Sequence, residues 1–141
     1  MTGRDFVKAL ASGEAQPPPM ARLIGLRVAE VGDGEVTIAC DADEAFYNPM
    51  GIVHGGLLCT LLDTAMGLSL QTLLDPGTGL TTIEIKVNFL KAVRATDGEL
   101  TAVGRVVKRG RRVAFAQADL RDGAGNAVAN ATSSLLIAER P

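Results

Sequence analysis

The longest apolar stretch of the chain occupies residues 57–70 and contains a single acid, Asp63. Its apolar side chains recur at the spacing of a helix that other structure surrounds on most sides: Leu57, Leu61, Leu62, Ala65 and Met66. This pattern predicts a long buried helix over residues 54–74, which the Asp-Pro-Gly sequence at 75–77 ends. It also predicts that Asp63 is partly buried.

Shorter patterns on both sides of this helix predict two short helices and a set of strands. Thr2 and Asp5 can cap a helix that ends near Ser12, and a brief helical turn follows over residues 20–24. Strands are predicted at residues 26–31, 35–40, 80–90, 99–108, 111–121 and 127–138. Turn residues separate them, which favours antiparallel pairing. The prediction is a single α+β domain over residues 1–141, with an N-terminal helical extension over residues 1–22. In this domain a strongly curved antiparallel sheet wraps around one long central helix.

The long helix brings together groups that suit acyl chemistry. A buried ionised carboxylate at Asp63 costs on the order of several kcal/mol unless partners or a ligand compensate. At the start of the helix, Gly55 and Gly56 let a ligand approach backbone amides that lack internal acceptors, and the helix dipole favours negative charge there. Asn48 and His54 flank these amides. Together, these groups are suited to attack on an acyl carbon.

Gly55 and Asp63 are too far apart to act on one carbonyl within one chain. They are eight residues apart, or about 12 Å along a helix axis. If both are catalytic, a second copy of the chain must bring its own Asp63 against Gly55. The predicted site therefore lies at a two-fold interface, the commonest symmetry of oligomers.

Composition narrows the functional classes. Sixteen acidic and fourteen basic residues give a net charge of −2, which argues against nucleic acid as the main partner. No stretch has the roughly 20 apolar residues of a membrane span, and the N-terminus lacks an apolar signal core, so we expect a cytoplasmic protein. Cys40 and Cys59 fit no metal-binding spacing, and the single histidine excludes a His-based zinc site of the usual type. Both cysteines are predicted to be small core residues.

The order of elements, with Asn48, the HGG sequence at 54–56 and Asp63, resembles the hotdog-fold acyl-CoA thioesterases, in particular their PaaI-like (phenylacetate-pathway) branch. The resemblance covers nearly the whole chain from Leu23 onward. It implies hydrolysis of acyl-CoA thioesters without a cofactor, since coenzyme A is part of the substrate. It also implies a homodimer, joined edge to edge with shared active sites, and a homotetramer of two such dimers.

The same resemblance implies catalytic roles for individual residues. Asn48 and His54 would lie beside the thioester carbonyl, which the Gly55 amide would polarise. Asp63 from the facing subunit would act as general base or as nucleophile, and both routes remain open. Thr82, at the start of the following strand, would help to place the attacking water.

A basic turn is the expected site for the coenzyme A phosphates. Its residues are Lys108, Arg109, Gly110, Arg111 and Arg112. A charge cluster at a hairpin is often only a solvated tip, but in a chain of net negative charge it is the obvious place for a phosphate-rich group. The strand that begins at Val113 could line the pantetheine arm. Substrate contacts are also expected from Gly56, and the acyl pocket from Phe46, Tyr47, Met50, Met66 and Leu70, although the acyl group itself stays open.

Plainer interpretations remain for each residue and for the function. His54 could simply cap its helix, and Asn48 could only close its loop through backbone hydrogen bonds. The chain has no Gly-x-Ser-x-Gly sequence, which argues against an α/β-hydrolase. A non-catalytic acyl-CoA or lipid-binding module is the main alternative, although such a module would have no need of Asp63. A hotdog hydratase or dehydratase is the less favoured enzyme, because the single histidine is already used beside the glycine pair.

Overall fold

The computed structural model describes residues 1–140, which form three α-helices and six β-strands. In chain order they are α1 (Gly3–Ser12), α2 (Pro19–Ile24), β1 (Arg27–Val31), β2 (Glu35–Asp41), α3 (Gly55–Gln71), β3 (Thr78–Phe89), β4 (Glu99–Arg109), β5 (Val113–Arg121) and β6 (Ala127–Glu139). Two 3₁₀ turns, Glu44–Phe46 and Ala95–Asp97, lie in the connecting loops. The strands form one antiparallel sheet in the order β1-β2-β4-β5-β6-β3. The predicted fold, a curved antiparallel sheet around one long helix, is confirmed.

The core lies between α3 and the inner face of the sheet. Leu61, Leu62, Ala65 and Met66 of α3 are at most 1% exposed. The inward positions of β5 are mostly alanine, and small side chains there let the helix lie close to the sheet. At Gly104 of β4 the two backbones come closest, because an added Cβ would lie 2.4 Å from the carbonyl carbon of Ala65.

The long helix ends at Gln71, three residues before the predicted end at Leu74. Thr72 stops it, because the hydroxyl of this residue donates to the carbonyl of Ser69 at 2.7 Å and accepts from the amide of Gly34 at 2.8 Å. These two bonds tie the end of the helix to the turn between β1 and β2. The prediction failed here because the apolar pattern continues beyond the last helical turn.

The N-terminal extension is docked on the sheet. Thr2 and Asp5 form the predicted capping box at the start of α1. Val7 of this helix is 0% exposed, and Arg4 pairs with Asp33 at 2.5 Å. The helix α1 therefore packs beside β1 and α3.

The two edges of the sheet differ in a way that matters for assembly. β1 is five residues long, is bulged after Val28 and packs against α1. β3 is twelve residues long and pairs with β6 on one side only. Ile83 and Phe89 of β3 are each 55% exposed. A long edge strand with exposed apolar side chains is a surface on which another strand can pair.

The two cysteines are free and differ in burial. Cys40 is fully buried, as expected of a small core residue, whereas Cys59 is only partly buried, so that prediction was wrong for Cys59. None of the helices in residues 1–140 combines the length and apolar character that crossing a membrane requires. Within the same residues, no group of three or more His, Cys, Asp and Glu side chains is placed to hold a metal ion.

We expect Gly104→Ala to lower the free energy of unfolding by on the order of 3 kcal/mol, because its Cβ would overlap the backbone of α3. The matched control is Gly67→Ala within α3, where the nearest atom is 3.6 Å from the new Cβ. This control should be neutral or stabilising by up to about 1 kcal/mol, since alanine favours a helix. Urea denaturation measures the free energies of unfolding of both variants. Equal stabilities for the two variants would contradict the close contact between β4 and α3.

Candidate active site

The start of α3 presents one backbone amide without an acceptor. His54 is the N-cap, and its Nδ1 accepts a hydrogen bond from the amide of Gly56 at 2.8 Å. Because Nδ1 accepts, the proton of the neutral ring lies on Nε2, which remains a donor. The Gly55 amide has no acceptor among residues 1–140. The helix dipole and this free amide together favour an oxyanion at this point.

Both glycines at the start of α3 have close side-chain neighbours. A Cβ on Gly56 would lie 3.0 Å from Nδ1 of His54, and a Cβ on Gly55 would lie 3.1 Å from the Phe89 ring. Phe89 is at the end of β3, and its ring therefore covers the first turn of α3. Sequence reasoning missed this residue, because an aromatic side chain near a strand end gives no specific signal.

Asn48 closes the loop before the helix and lies beside the same amide. Its Oδ1 accepts from the amides of Met50 at 2.9 Å and Ile52 at 3.4 Å. Asn48 therefore closes its loop through Oδ1, and its role toward a substrate stays a prediction. Its Nδ2 has no acceptor among residues 1–140, so it remains available to a ligand. Asn48 and Gly55 line one cavity of about 380 Å³, which we call the Gly55 cavity.

Asp63 and Thr82 meet at the middle of α3. The hydroxyl of Thr82 donates to Oδ1 of Asp63 at 2.8 Å, and the carboxylate is half-buried, as predicted. Oδ2 has no donor among residues 1–140 and is free to accept a proton or to attack. Cys59 lies one turn earlier, and burial, followed by the negative charge of Asp63, raises the pKa of its thiol. Cys59 therefore remains protonated at neutral pH and is not a nucleophile here.

The structure brings the predicted residues into two groups. Asn48, His54 and Gly55 lie at the start of α3, and Asp63 with Thr82 lies in its middle. The spacing of about 12 Å between Gly55 and Asp63 follows from the single continuous helix. Within one chain these two groups do not share a cavity.

The basic turn joins β4 to β5 and is exposed. Its residue Arg109 has the same register position across the sheet as Thr82, as the following strand pairs show. Thr82 pairs with Leu135, which pairs with Ala114. Ala114 in turn pairs with Arg109. Three strand spacings of about 4.8 Å place the backbone of Arg109 roughly 14 Å from Thr82.

Several expected substrate contacts receive no support from the structure. Met66 and Leu70 are 0% exposed and belong to the core, so they offer no surface to an acyl group. Tyr47 is half-buried, and its hydroxyl accepts from the amide of Ala95 at 2.8 Å, which fixes the loop. Met50 is 83% exposed at the tip of that loop. These side chains were expected in the pocket because they are apolar and near the motif. Tertiary packing instead buries Met66 and Leu70, and leaves Met50 exposed.

Lys91 lines the Gly55 cavity and is held in place by a buried acid. Its Nζ lies 2.9 Å from Oδ2 of Asp122, whose side chain is 2% exposed, and 3.5 Å from Asp97. Asp122 also accepts from the amides of Ala124 and Asn126 at 3.0 and 2.9 Å. The bond from Lys91 and these donors hold the pKa of Asp122 well below its ordinary value of 3.8. The bond to Asp122 raises the pKa of Lys91 in turn.

A family model described as Thioesterase superfamily matches residues 50–129, more than half of the chain. A phenylacetic acid degradation-related protein from Ralstonia eutropha is 29% identical, with a TM-score of 0.84 over 93% of this chain and 98% of that chain. Human acyl-coenzyme A thioesterase 13 is 27% identical over 123 residues, which are 86% of this chain and 83% of that protein. The Escherichia coli PaaI protein of the phenylacetic acid degradation operon, at 18% identity, shares the fold with a TM-score of 0.82 over 96% and 95% of the two chains. The fold is that of the hotdog thioesterases, and the chain belongs to the thioesterase superfamily. The predicted resemblance to its PaaI-like members is confirmed.

We expect Lys91→Met to lower the melting temperature at pH 7, because it leaves the Asp122 carboxylate buried without its cation. The lowered pKa of Asp122 contributes stability that is present above pH 3.8 and is lost as the pH falls below it. The raised pKa of Lys91 contributes stability below pH 10.5 that is lost as the pH rises above that value. The variant should therefore lose less stability than the wild type between pH 5 and pH 2.

Thermal melting across pH checks this prediction. Lys8→Met is the matched control, because Lys8 is exposed and forms no ion pair among residues 1–140. An acid dependence of Lys91→Met identical to that of the wild type would show that the pair does not stabilise the fold.

Proposed function

We propose that the protein hydrolyses acyl-CoA thioesters to a free acid and coenzyme A, at active sites shared between two copies of the chain. The observation that carries the proposal is the half-buried carboxylate of Asp63, which Thr82 orients through a hydrogen bond of 2.8 Å. Thr82 uses its only hydroxyl proton in this bond, so the lone pairs of its oxygen are left for a water molecule. Asp63 then attacks the thioester carbon or takes a proton from that water.

The Gly55 amide is the proposed oxyanion donor. Negative charge develops on the thioester oxygen as the carbon becomes tetrahedral, and fixed donors aimed at that oxygen lower the barrier. Nε2–H of His54 and Nδ2 of Asn48 are the two further donors near the amide that local structure leaves unused. In this mechanism neither residue acts as a base, because Nδ1 of His54 is already used in the helix cap.

The exposed edge of β3 supports the dimer part of the proposal. Pairing of β3 with the same strand of a second copy would remove its unpaired edge and bury Ile83 and Phe89. Such pairing would bring the second helix beside the first. The Gly55 of one subunit and the Asp63 of its partner would then face the same carbonyl.

The basic turn is proposed to bind the phosphates of coenzyme A. Arg109 lies roughly 14 Å across the sheet from Thr82, a distance that an extended pantetheine arm can span. The turn would therefore act on the thioester held by the Asp63 of its own subunit. Lys91 is the cation beside Gly55, but Asp122 and Asp97 neutralise it.

We expect Asp63→Asn to lower turnover by about 10² or more, because the amide can neither take a proton nor attack. The melting temperature should stay equal or rise, since a half-buried charge is removed. The measurement is thiol release with a panel of aryl-, short- and long-chain acyl-CoAs. Asp75→Asn is the matched control, since Asp75 is exposed beyond the end of α3. Near-normal turnover by Asp63→Asn would refute the proposed role of Asp63. If the wild type bound acyl-CoAs tightly but hydrolysed none of them, a non-catalytic binder would be favoured.

Two inactive variants should restore activity when they share a dimer. Asn48→Asp keeps the oxygen that closes the loop and removes the Nδ2 donor, while Asp63→Asn removes the carboxylate. A mixed dimer contains one intact site and one doubly altered site, so we expect about half of the wild-type turnover per dimer.

Separately tagged chains, co-expressed and purified through both tags, provide this mixed dimer. The two parent variants, each purified alone, are the controls and should remain nearly inactive. A purified mixed dimer no more active than its parents would refute the shared site.

A further inference from the structure

A second and larger cavity lies beneath the N-terminal extension. Its volume is about 660 Å³, within the roughly 300–1,000 Å³ of small-molecule sites. Phe6 and Leu10 of α1 form one wall, and Ile24 of α2 and Val28 of β1 form another. The floor is the face of α3 that carries Thr60, Thr64 and Leu68. We call this space the N-terminal cavity.

The floor of the N-terminal cavity adjoins Asp63 on the same helix. Thr64 follows Asp63 directly, and Thr60 precedes it by less than one turn. At about 100° per residue, these two threonines lie roughly 60° and 100° around the helix from the carboxylate, on the same side. A chain that leaves the thioester carbon beside Asp63 would therefore reach the Thr60 and Thr64 floor of this cavity in the same subunit.

The lining is mostly apolar, which suits an aliphatic chain. Its single charged residue, Arg27, is already paired with Glu99 and with Asp41 at 3.7 Å. The Thr60 hydroxyl donates its proton to the carbonyl of Gly56 at 3.0 Å, so it has no proton left to donate to a ligand. A second carboxylate at the far end of an acyl chain would find no free cation here.

We propose that the N-terminal cavity receives the acyl chain of the substrate and that the enzyme prefers linear aliphatic chains of medium to long length. The inference rests on the proposed thioesterase function and assigns its acyl specificity. The chain would lie in the subunit that supplies Asp63, and the N-terminal extension would thereby form part of the active site. Extended aliphatic chains bury more apolar area in this cavity than short ones, and so bind more tightly.

The test reduces the volume of the N-terminal cavity by substitutions at its floor and at its α1 wall. Thr64→Phe adds a ring at the floor, and Ala11→Phe adds one from α1, where the exposed position tolerates a larger side chain. The ratio of kcat/KM for dodecanoyl-CoA to that for butyryl-CoA should fall about tenfold or more in each variant. Ala29→Phe is the matched control, since Ala29 is exposed on β1 and lies outside the lining. Its ratio should equal that of the wild type.

Dodecanoate binding, measured by calorimetry, separates this inference from the proposed function. The wild type and Ala29→Phe should bind dodecanoate, and both cavity variants should bind it about tenfold more weakly. If no acyl-CoA is hydrolysed but this binding pattern holds, the proposed function fails and the cavity assignment stands. In the opposite case, hydrolysis depends on Asp63, but the folded variants Thr64→Phe and Ala11→Phe keep the wild-type chain-length ratio and dodecanoate affinity. That result would overturn the cavity assignment and leave the proposed function standing. Failure of the wild type to bind dodecanoate would overturn the cavity assignment as well.

Discussion

The backbone contact between Gly104 of β4 and Ala65 of α3 is the constraint on which the other features depend. Because no side chain separates the two backbones at that point, the helix lies deep against the inner face of the sheet and cannot shift without a clash. The helix is thereby fixed at its middle. Its start is held under the Phe89 ring, and Asp63 is held within hydrogen-bond distance of Thr82 on β3.

The same rigid helix explains why one chain carries two incomplete sites. A helix that fixes both Gly55 and Asp63 also fixes the distance between them, and no flexible segment could bring the free amide to the carboxylate. The sheet, however, leaves β3 unpaired along one side, beside the strand residues that contact both groups. In the proposed dimer, the unpaired edge of β3 compensates for the fixed distance between Gly55 and Asp63, because pairing at that edge supplies the missing half of each site.

Local structure and proposed chemistry use different atoms of the same residues. His54 caps the helix through Nδ1 and leaves Nε2–H, while Asn48 closes its loop through Oδ1 and leaves Nδ2. The structural and functional interpretations of these side chains are therefore compatible. The local bonds hold each side chain in one orientation, so the remaining donor is fixed before a substrate arrives, which is the condition for effective oxyanion stabilisation.

The sequence by itself determined the order of the elements, the long apolar helix with a half-buried acid in it, the capping box of α1 and the free amide at Gly55. These follow from periodicity and from turn and cap chemistry, which act between residues close in the chain. Tertiary structure decided what depends on distant residues. The helix ends at Gln71 because Thr72 bonds to Gly34. Met66 and Leu70 are buried in the core and do not line a pocket. Lys91 is neutralised by Asp122. The N-terminal cavity exists only because α1, α2, β1 and α3 together enclose it, and no local pattern specifies the space that remains between packed elements.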